Sequence, residues 1–219
     1  MDKIDYVKLN KEMYSPKDTP SVIEVPAMKF IMVDGFGNPN DVNGEYTNAV
    51  SLLYALTFTI KMGLKFKKLP CSEDAFTDYK VPPLEGFWWL QDDLDMNFTQ
   101  KEKFCWTSVI RQPDFITGNI FLQAKDEVRK KKPELDVSKA RFEEFEEGLC
   151  VQCMHIGPYD MEPATIAKIN DFITEKGFTH DISGLTPDGH IRRHHEIYLS
   201  DPRKANPVKM KTILRHPVK

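Results

Sequence analysis

The sequence predicts an α+β fold of two tandem strand-helix-strand-strand modules. Their strands form an antiparallel sheet, with helices on one face and a ligand cleft between the modules. Three observations carry this. A strand-like run from Val22 to Val33 closes on Asp34-Gly35-Phe36-Gly37 and precedes a long helical pattern. The same succession returns from Gly148 to Ile156, through Gly157-Pro158-Tyr159-Asp160, into a helix from Met161 to Lys176. Laid on each other, Met32 to Phe36 matches Met154 to Pro158, and Trp106 to Pro113 matches His195 to Pro202, a weak internal repeat. Lastly, the stretch from His194 to Pro202 opens as a two-faced strand, with Ile197 and Leu199 on one side and His194, Glu196 and Tyr198 on the other.

Taken in order, residues 1–21 are polar, carry Pro16 and Pro20, and read as a lead-in segment. Residues 22–219 read as one domain, with module one at 22–133 and module two at 134–219. After the first strand, Gly37, Asn38, Pro39, Asn40, Asn43 and Gly44 mark a loop. From Glu45 to Leu64, Tyr46, Ala49, Val50, Leu53, Leu56, Thr57, Ile60 and Leu64 form one helical stripe, while Leu52, Tyr54 and Phe58 lie off it, so the helix is covered on two sides. Strands follow at about Phe76 to Leu90 and Lys103 to Arg111, joined by a polar hairpin turn at Asp92 to Asn97. A helix runs from Pro113-Asp114 to about Lys131, where Pro133 stops it. In module two, Ile166, Ile169, Phe172 and Ile173 turn inward and Gly177 caps the helix. A short segment near Ile182 to Leu185 and the strand from His194 complete the unit.

Composition excludes several function classes. A formal net charge of -3 offers no electrostatic footprint for nucleic acid. The basic run from Lys125 to Lys132 complements the end of a helix dipole. The richest apolar run, Ala49 to Ile60, is broken by Ser51, Thr57 and Thr59 and falls short of a membrane span. The N-terminus lacks a signal peptide's apolar segment, so the expected location is the cytoplasm. Cys150-Val151-Gln152-Cys153 sits in a strand, where residues three apart face opposite ways, and His194 and His195 diverge with no third ligand in step. Neither points to a metal, and no cofactor is implied.

Gly157-Pro158-Tyr159 between strand and helix, followed by Glu196-Ile197-Tyr198, resembles the GyrI-like small-molecule-binding family over about residues 22–216. Pro83-Leu84-Glu85-Gly86-Phe87-Trp88-Trp89 and Leu199-Ser200-Asp201-Pro202-Arg203 are similar to its stand-alone branch, which lacks a DNA-binding domain and includes cyclopropanoid hydrolases. The resemblance implies fused strand-helix-strand-strand modules of the SHS2 type. It implies a pocket glutamate at Glu196, a turn tyrosine at Tyr159, and an aromatic-acidic strand carrying Glu85 and Trp89.

On that strand, Leu84, Trp88 and Leu90 share one face and Tyr79, Val81, Glu85, Phe87 and Trp89 the other. Both modules thus present a glutamate among aromatics, and a pseudo-two-fold arrangement lets the two faces converge on one cleft. The expected ligand contacts are Glu85, Phe87, Trp89, Trp106, Tyr159, Glu196 and Tyr198, with His195, Ile197 and Leu199 left to packing. Each has a plainer alternative: Trp106 as core, Tyr159 as a backbone partner in its turn, Glu196 in an ion pair at the surface with Arg192 or Arg193. The pocket reading makes the protein a binder of planar aromatic, partly cationic or polar molecules, serving sequestration or resistance. Its enzymatic alternative adds water across the cyclopropane ring of DNA-alkylating natural products, with Glu196 moving the proton and Tyr159 or Tyr198 donating to the ligand carbonyl. A role as inhibitor of a partner protein has no surface in the sequence to support it.

Overall fold

The computed structural model describes residues 3–69, 76–91 and 100–219; the turn expected at Asp92 to Asn97 lies outside them. The first predicted strand is two, β1 (Ser21–Val25) and β2 (Met28–Phe36), because Pro26 has no N–H for a ladder. The long helix α3 (Glu45–Lys65) is preceded by two single-turn helices, α1 (Tyr6–Leu9) and α2 (Lys11–Tyr14). It buries Ala49, Leu52, Leu53, Leu56, Thr57, Ile60 and Leu64, a wider stripe than one heptad seam, as its two-sided pattern requires. Strand β3 (Leu84–Leu90) starts later than predicted, since Pro82 and Pro83 cannot donate. It is followed by β4 (Phe104–Gln112) and α4 (Gly118–Lys131), whose N-cap Thr117 accepts from the Ile120 N–H. Module two contains β5 (Ala140–Phe145), β6 (Gly148–Ile156), α5 (Glu162–Glu175), β7 (His194–Tyr198) and β8 (Lys211–Pro217).

The eight strands form one antiparallel sheet in the order β1-β6-β8-β7-β3-β4-β2-β5. This order is a palindrome of two modules meeting at β7 and β3. β2 corresponds to β6, β3 to β7 and β4 to β8. The predicted match of Met32 to Phe36 with Met154 to Pro158 follows this equivalence. The match of Trp106 to Pro113 with His195 to Pro202 does not: it sets β4 against β7, whereas the counterpart of β4 is β8, a strand with little alternation in its sequence. Each lead strand is also exchanged: β1 pairs with β6 of module two, and β5 with β2 of module one.

Helices α3, α4 and α5 cover one face of the sheet. Under them, α3 and α4 pack on Ile31, Val33, Trp88, Trp106 and Ile110, and α5 packs on Val151, Cys153 and Leu214. The lead-in segment covers the other face, burying Tyr6, Met13 and Tyr14 against Phe30, Met32, Val109 and Ile213. Its backbone is tied in as well: the Met154 N–H donates to the Lys17 carbonyl and Gln152 Nε2 to the Glu12 carbonyl. Among the described residues no helix is long and apolar enough to cross a membrane.

Gly35, near the end of β2, lies over the indole of Trp106, which is fully buried with Tyr46 edge-on at 5.2 Å. A Cβ at Gly35 would overlap the six-membered ring. Gly35→Ala should therefore destabilise the fold by about 1–3 kcal/mol through overpacking, read as a lower urea midpoint at unchanged slope.

Candidate functional site

The site is built on the junction of the modules. In the β3·β7 ladder Leu84 opposes Tyr198, Gly86 opposes Glu196 and Trp88 opposes His194. Directly opposed residues share a face, so His194, Glu196 and Tyr198 lie with Trp88 on the helical face. Gly86 is required there by close approach: a Cβ would come within 2.6 Å of Trp88 Nε1 and 3.2 Å of the Tyr198 hydroxyl. Above this floor lies a cavity of about 1580 Å³, walled by Tyr46 and Tyr54 of α3 on one side and Tyr159 and Glu162 on the other. The rings of Tyr46 and Trp88 are 5.4 Å apart, and Tyr159 stands edge-on to Tyr198 at 5.8 Å. These rings pack on each other as neighbours in the wall, and the aromatic surface they present to the cavity suits a flat ligand.

The polar groups of the floor form one chain. Trp88 Nε1 donates to the Tyr198 hydroxyl at 2.8 Å, and that hydroxyl donates to Glu196 Oε2 at 2.7 Å. His194 Nε2 lies 3.1 Å from Glu196 Oε1, and His194 Nδ1 lies 2.8 Å from His216 Nε2. Glu162, in the first turn of α5, is buried within hydrogen-bond reach of Glu196. Burial, the Glu196 charge and the hydrogen bond between the two carboxyls push its pKa well above the usual carboxylate range. Burial and the same two carboxyls push Tyr159 up to about 12. The site thus holds two adjacent carboxyls, one biased toward its protonated form, inside an aromatic cavity.

Of the residues anticipated from sequence, Tyr159, Glu196 and Tyr198 line the cavity. Trp106 is on the same face but behind the wall, fully buried against Tyr46. Glu85, Phe87 and Trp89 are on the opposite face, because Glu85 opposes Ile197 and Phe87 opposes His195. The expected convergence of Glu85 with Glu196 is therefore corrected: alternation along β3 brings Trp88 to the cavity in their place. Phe87 stacks on His195 at 4.2 Å, and Trp89 lies under the Arg193 guanidinium. His195, left to packing, does pack on Phe87 and is also polar in its contacts. Its Nε2 meets Glu85 Oε2 and its Nδ1 meets Glu147 Oε2, each at 3.0 Å, and Glu147 also accepts from Arg215 Nη1 at 3.0 Å. Tyr14 donates to Glu85 at 3.3 Å.

Sequence reasoning missed Glu162, His216, Glu147 and Arg215. An acid in a helix's first turn is ordinary dipole complementation, so Glu162 carries no distinguishing local signal. The one available signal is its place directly after the Gly157-Pro158-Tyr159 turn. His216 and Arg215 sit on β8, where nearly continuous burial hides the alternation of a strand.

Fold and cavity together define an α+β small-molecule-binding protein. The profile of the GyrI-like small molecule binding domain matches residues 18–218, and the chain belongs to that family. An uncharacterized conserved protein from Listeria innocua is 48% identical, with 99% of this chain and all of that one covered and a TM-score of 0.88. A hydrolase from Listeria innocua is likewise 48% identical over 99% of this chain and all of its own, with a TM-score of 0.83. The C-terminal domain of EcmrR, 12% identical over 92% of this chain and 97% of its own, shares the fold at a TM-score of 0.52. No curated protein sequence matches the chain.

The network behind the site predicts a pH dependence of stability. Burial opposes charge on Glu147, but His195 and Arg215 outweigh it and bring its pKa down to about 2. Its contribution is full above the ordinary value of 4.5 and lost as pH falls through about 2. Burial likewise opposes charge on His195, but Glu147 and Glu85 raise its pKa. That contribution is full below 6.5 and lost as pH rises through the raised value. Urea unfolding across pH should show both limbs. Arg215→Met, which leaves Glu147 buried without its guanidinium, should cost about 3–5 kcal/mol near neutral pH.

Proposed function

We propose that this chain is a hydrolase that adds water to a flat aromatic small molecule held between Tyr46 and Trp88 on one side and Tyr159 and Tyr198 on the other. The observation that carries the reading is the Glu162–Glu196 pair, two carboxyls of which one is held toward its protonated form at the cavity wall. Such a pair supplies a base and an acid together. The 48% identity to a protein described as a hydrolase supports the same class.

The proposed substrates are cyclopropane-bearing, DNA-alkylating natural products, as the family resemblance implies. Glu196 takes a proton from water as the water oxygen bonds to the ring carbon. The strained carbon–carbon bond breaks, and its electron pair runs through the conjugated dienone to the carbonyl oxygen. That oxygen becomes a phenol by taking the proton of Glu162, while Tyr159 or Tyr198 hydrogen bonds it on the way. The product is the substrate plus one water, and transfer of a proton from Glu196 to Glu162 resets the pair. Binding alone, for sequestration, is the second reading, favoured by the aromatic walls and the description of the family's domain.

Incubation of the protein with a cyclopropane-containing alkylator, followed by mass spectrometry, should yield a product heavier by one water. Recovery of unchanged compound that nevertheless quenches tryptophan fluorescence would select sequestration. Glu162→Gln and Glu196→Gln should each slow hydrolysis by about 10²–10⁴-fold while the quenching persists. Because Glu162 must be protonated to act, kcat should fall as pH rises through its elevated pKa.

A further inference from the structure

Two neighbouring carboxyls are not equivalent when one of them has directional donors behind it. Glu196 accepts from the Tyr198 hydroxyl at Oε2 and faces His194 Nε2 at Oε1. For Nε2 to donate, a neutral His194 must keep its proton there and present a bare Nδ1. Nδ1 lies 2.8 Å from His216 Nε2, with the two rings at 77°, so His216 must in turn carry its proton on Nε2. Burial, with His194 and His180 close by, holds His216 well below the usual imidazole range and keeps it neutral. Among the described residues nothing hydrogen bonds His216 Nδ1. A bare ring nitrogen tolerates this better than a buried N–H, which would be left without an acceptor. Glu162 lies outside this run of donors: it meets Glu196, with Asp160 nearby, and its Oε1 has no hydrogen-bond partner among the described residues.

We infer that His216 and His194 are positioning residues that decide which carboxyl of the pair holds the proton. The one-way run from His216 Nε2–H to His194 Nδ1, and from His194 Nε2–H to Glu196, makes Glu196 the proton acceptor and leaves the proton on Glu162. In the reverse run a protonated Glu196 donates to His194 Nε2, His194 Nδ1–H donates to His216 Nε2, and the last proton sits on His216 Nδ1, which faces no acceptor among the described residues. His216, which does not line the cavity, thereby selects base and acid at two removes. The purpose of this arrangement rests on the hydrolase reading; the arrangement itself belongs to the protein without ligand.

The test therefore reads the ligand-free, full-length protein near neutral pH. Two-bond ¹H–¹⁵N spectra should show both His194 and His216 as neutral Nε2–H tautomers. Side-chain ¹³C shifts should show Glu162 protonated and Glu196 ionised. An Nδ1–H tautomer at either ring, an imidazolium at His194, or the proton on Glu196 overturns the inference. His216→Gln, whose amide can accept from His194 Nδ1–H as well as donate to a bare Nδ1, should release the Nδ1–H tautomer of His194 and reduce the preference for Glu162 over Glu196 at least tenfold; an unchanged distribution overturns it. If that variant does not fold, the tautomers of the unmodified protein decide alone. Correct tautomers with no hydrolysis of any cyclopropane compound would remove the hydrolase reading and support this inference, and hydrolysis with the wrong tautomers would do the reverse.

Discussion

The antiparallel pairing of β3 with β7 is the constraint on which the rest depends. It is the seam where the modules meet, and its register sets Gly86 opposite Glu196. With no side chain at Gly86, the Trp88 indole can reach the Tyr198 hydroxyl, and that hydroxyl in turn fixes Glu196. A slip of one residue would exchange every side chain of β7 between faces. It would place His195 under the cavity and Glu196 in the opposite core. Exchange of the lead strands β1 and β5 reinforces the seam, since each module is edged by a strand from the other.

The two faces of this seam treat buried glutamates in opposite ways. Behind the sheet, Glu147 has Arg215 and His195 as partners, and its charge outlasts burial down to about pH 2. In front, Glu162 is buried to a similar degree but its neighbour is another carboxyl, and its pKa moves up. Burial is common to both, so the sign is set by the partner. A paired charge holds the modules in place, whereas a carboxyl beside a carboxyl retains a proton that chemistry can use. His194 and His195 carry this division on adjacent residues, one serving each face.

The lead-in segment belongs to the same design. Its tyrosines and methionine close the face opposite α3, α4 and α5, and the Met13 carbonyl accepts from Arg215 Nη2 at 3.1 Å. Residues that look like a polar preface in sequence thus complete the second layer of the core and satisfy part of its buried charge. Their two helices are single turns, held by tertiary contacts rather than by propensity.

Much of this was legible without coordinates. Alternation along His194 to Leu199 placed Glu196 and Tyr198 together, the turn at Gly157-Pro158-Tyr159 marked Tyr159, and the stripe of α3 announced a helix covered on two sides. The errors have local physical causes. β8 is nearly continuous in burial, so it shows little alternation, and it carries a threonine, an arginine and a histidine inside. Glu162 looks like any acid in a first turn. Trp88 was set against Glu85 correctly by alternation, yet alternation cannot say which side of β3 faces which side of β7. By itself, then, the sequence determined the three long helices, most of the central strands, their duplication and the two-faced character of β3 and β7. Only the tertiary structure decided that Glu196 meets Glu162 and not Glu85, because register across a seam between distant segments is settled by packing on both faces at once.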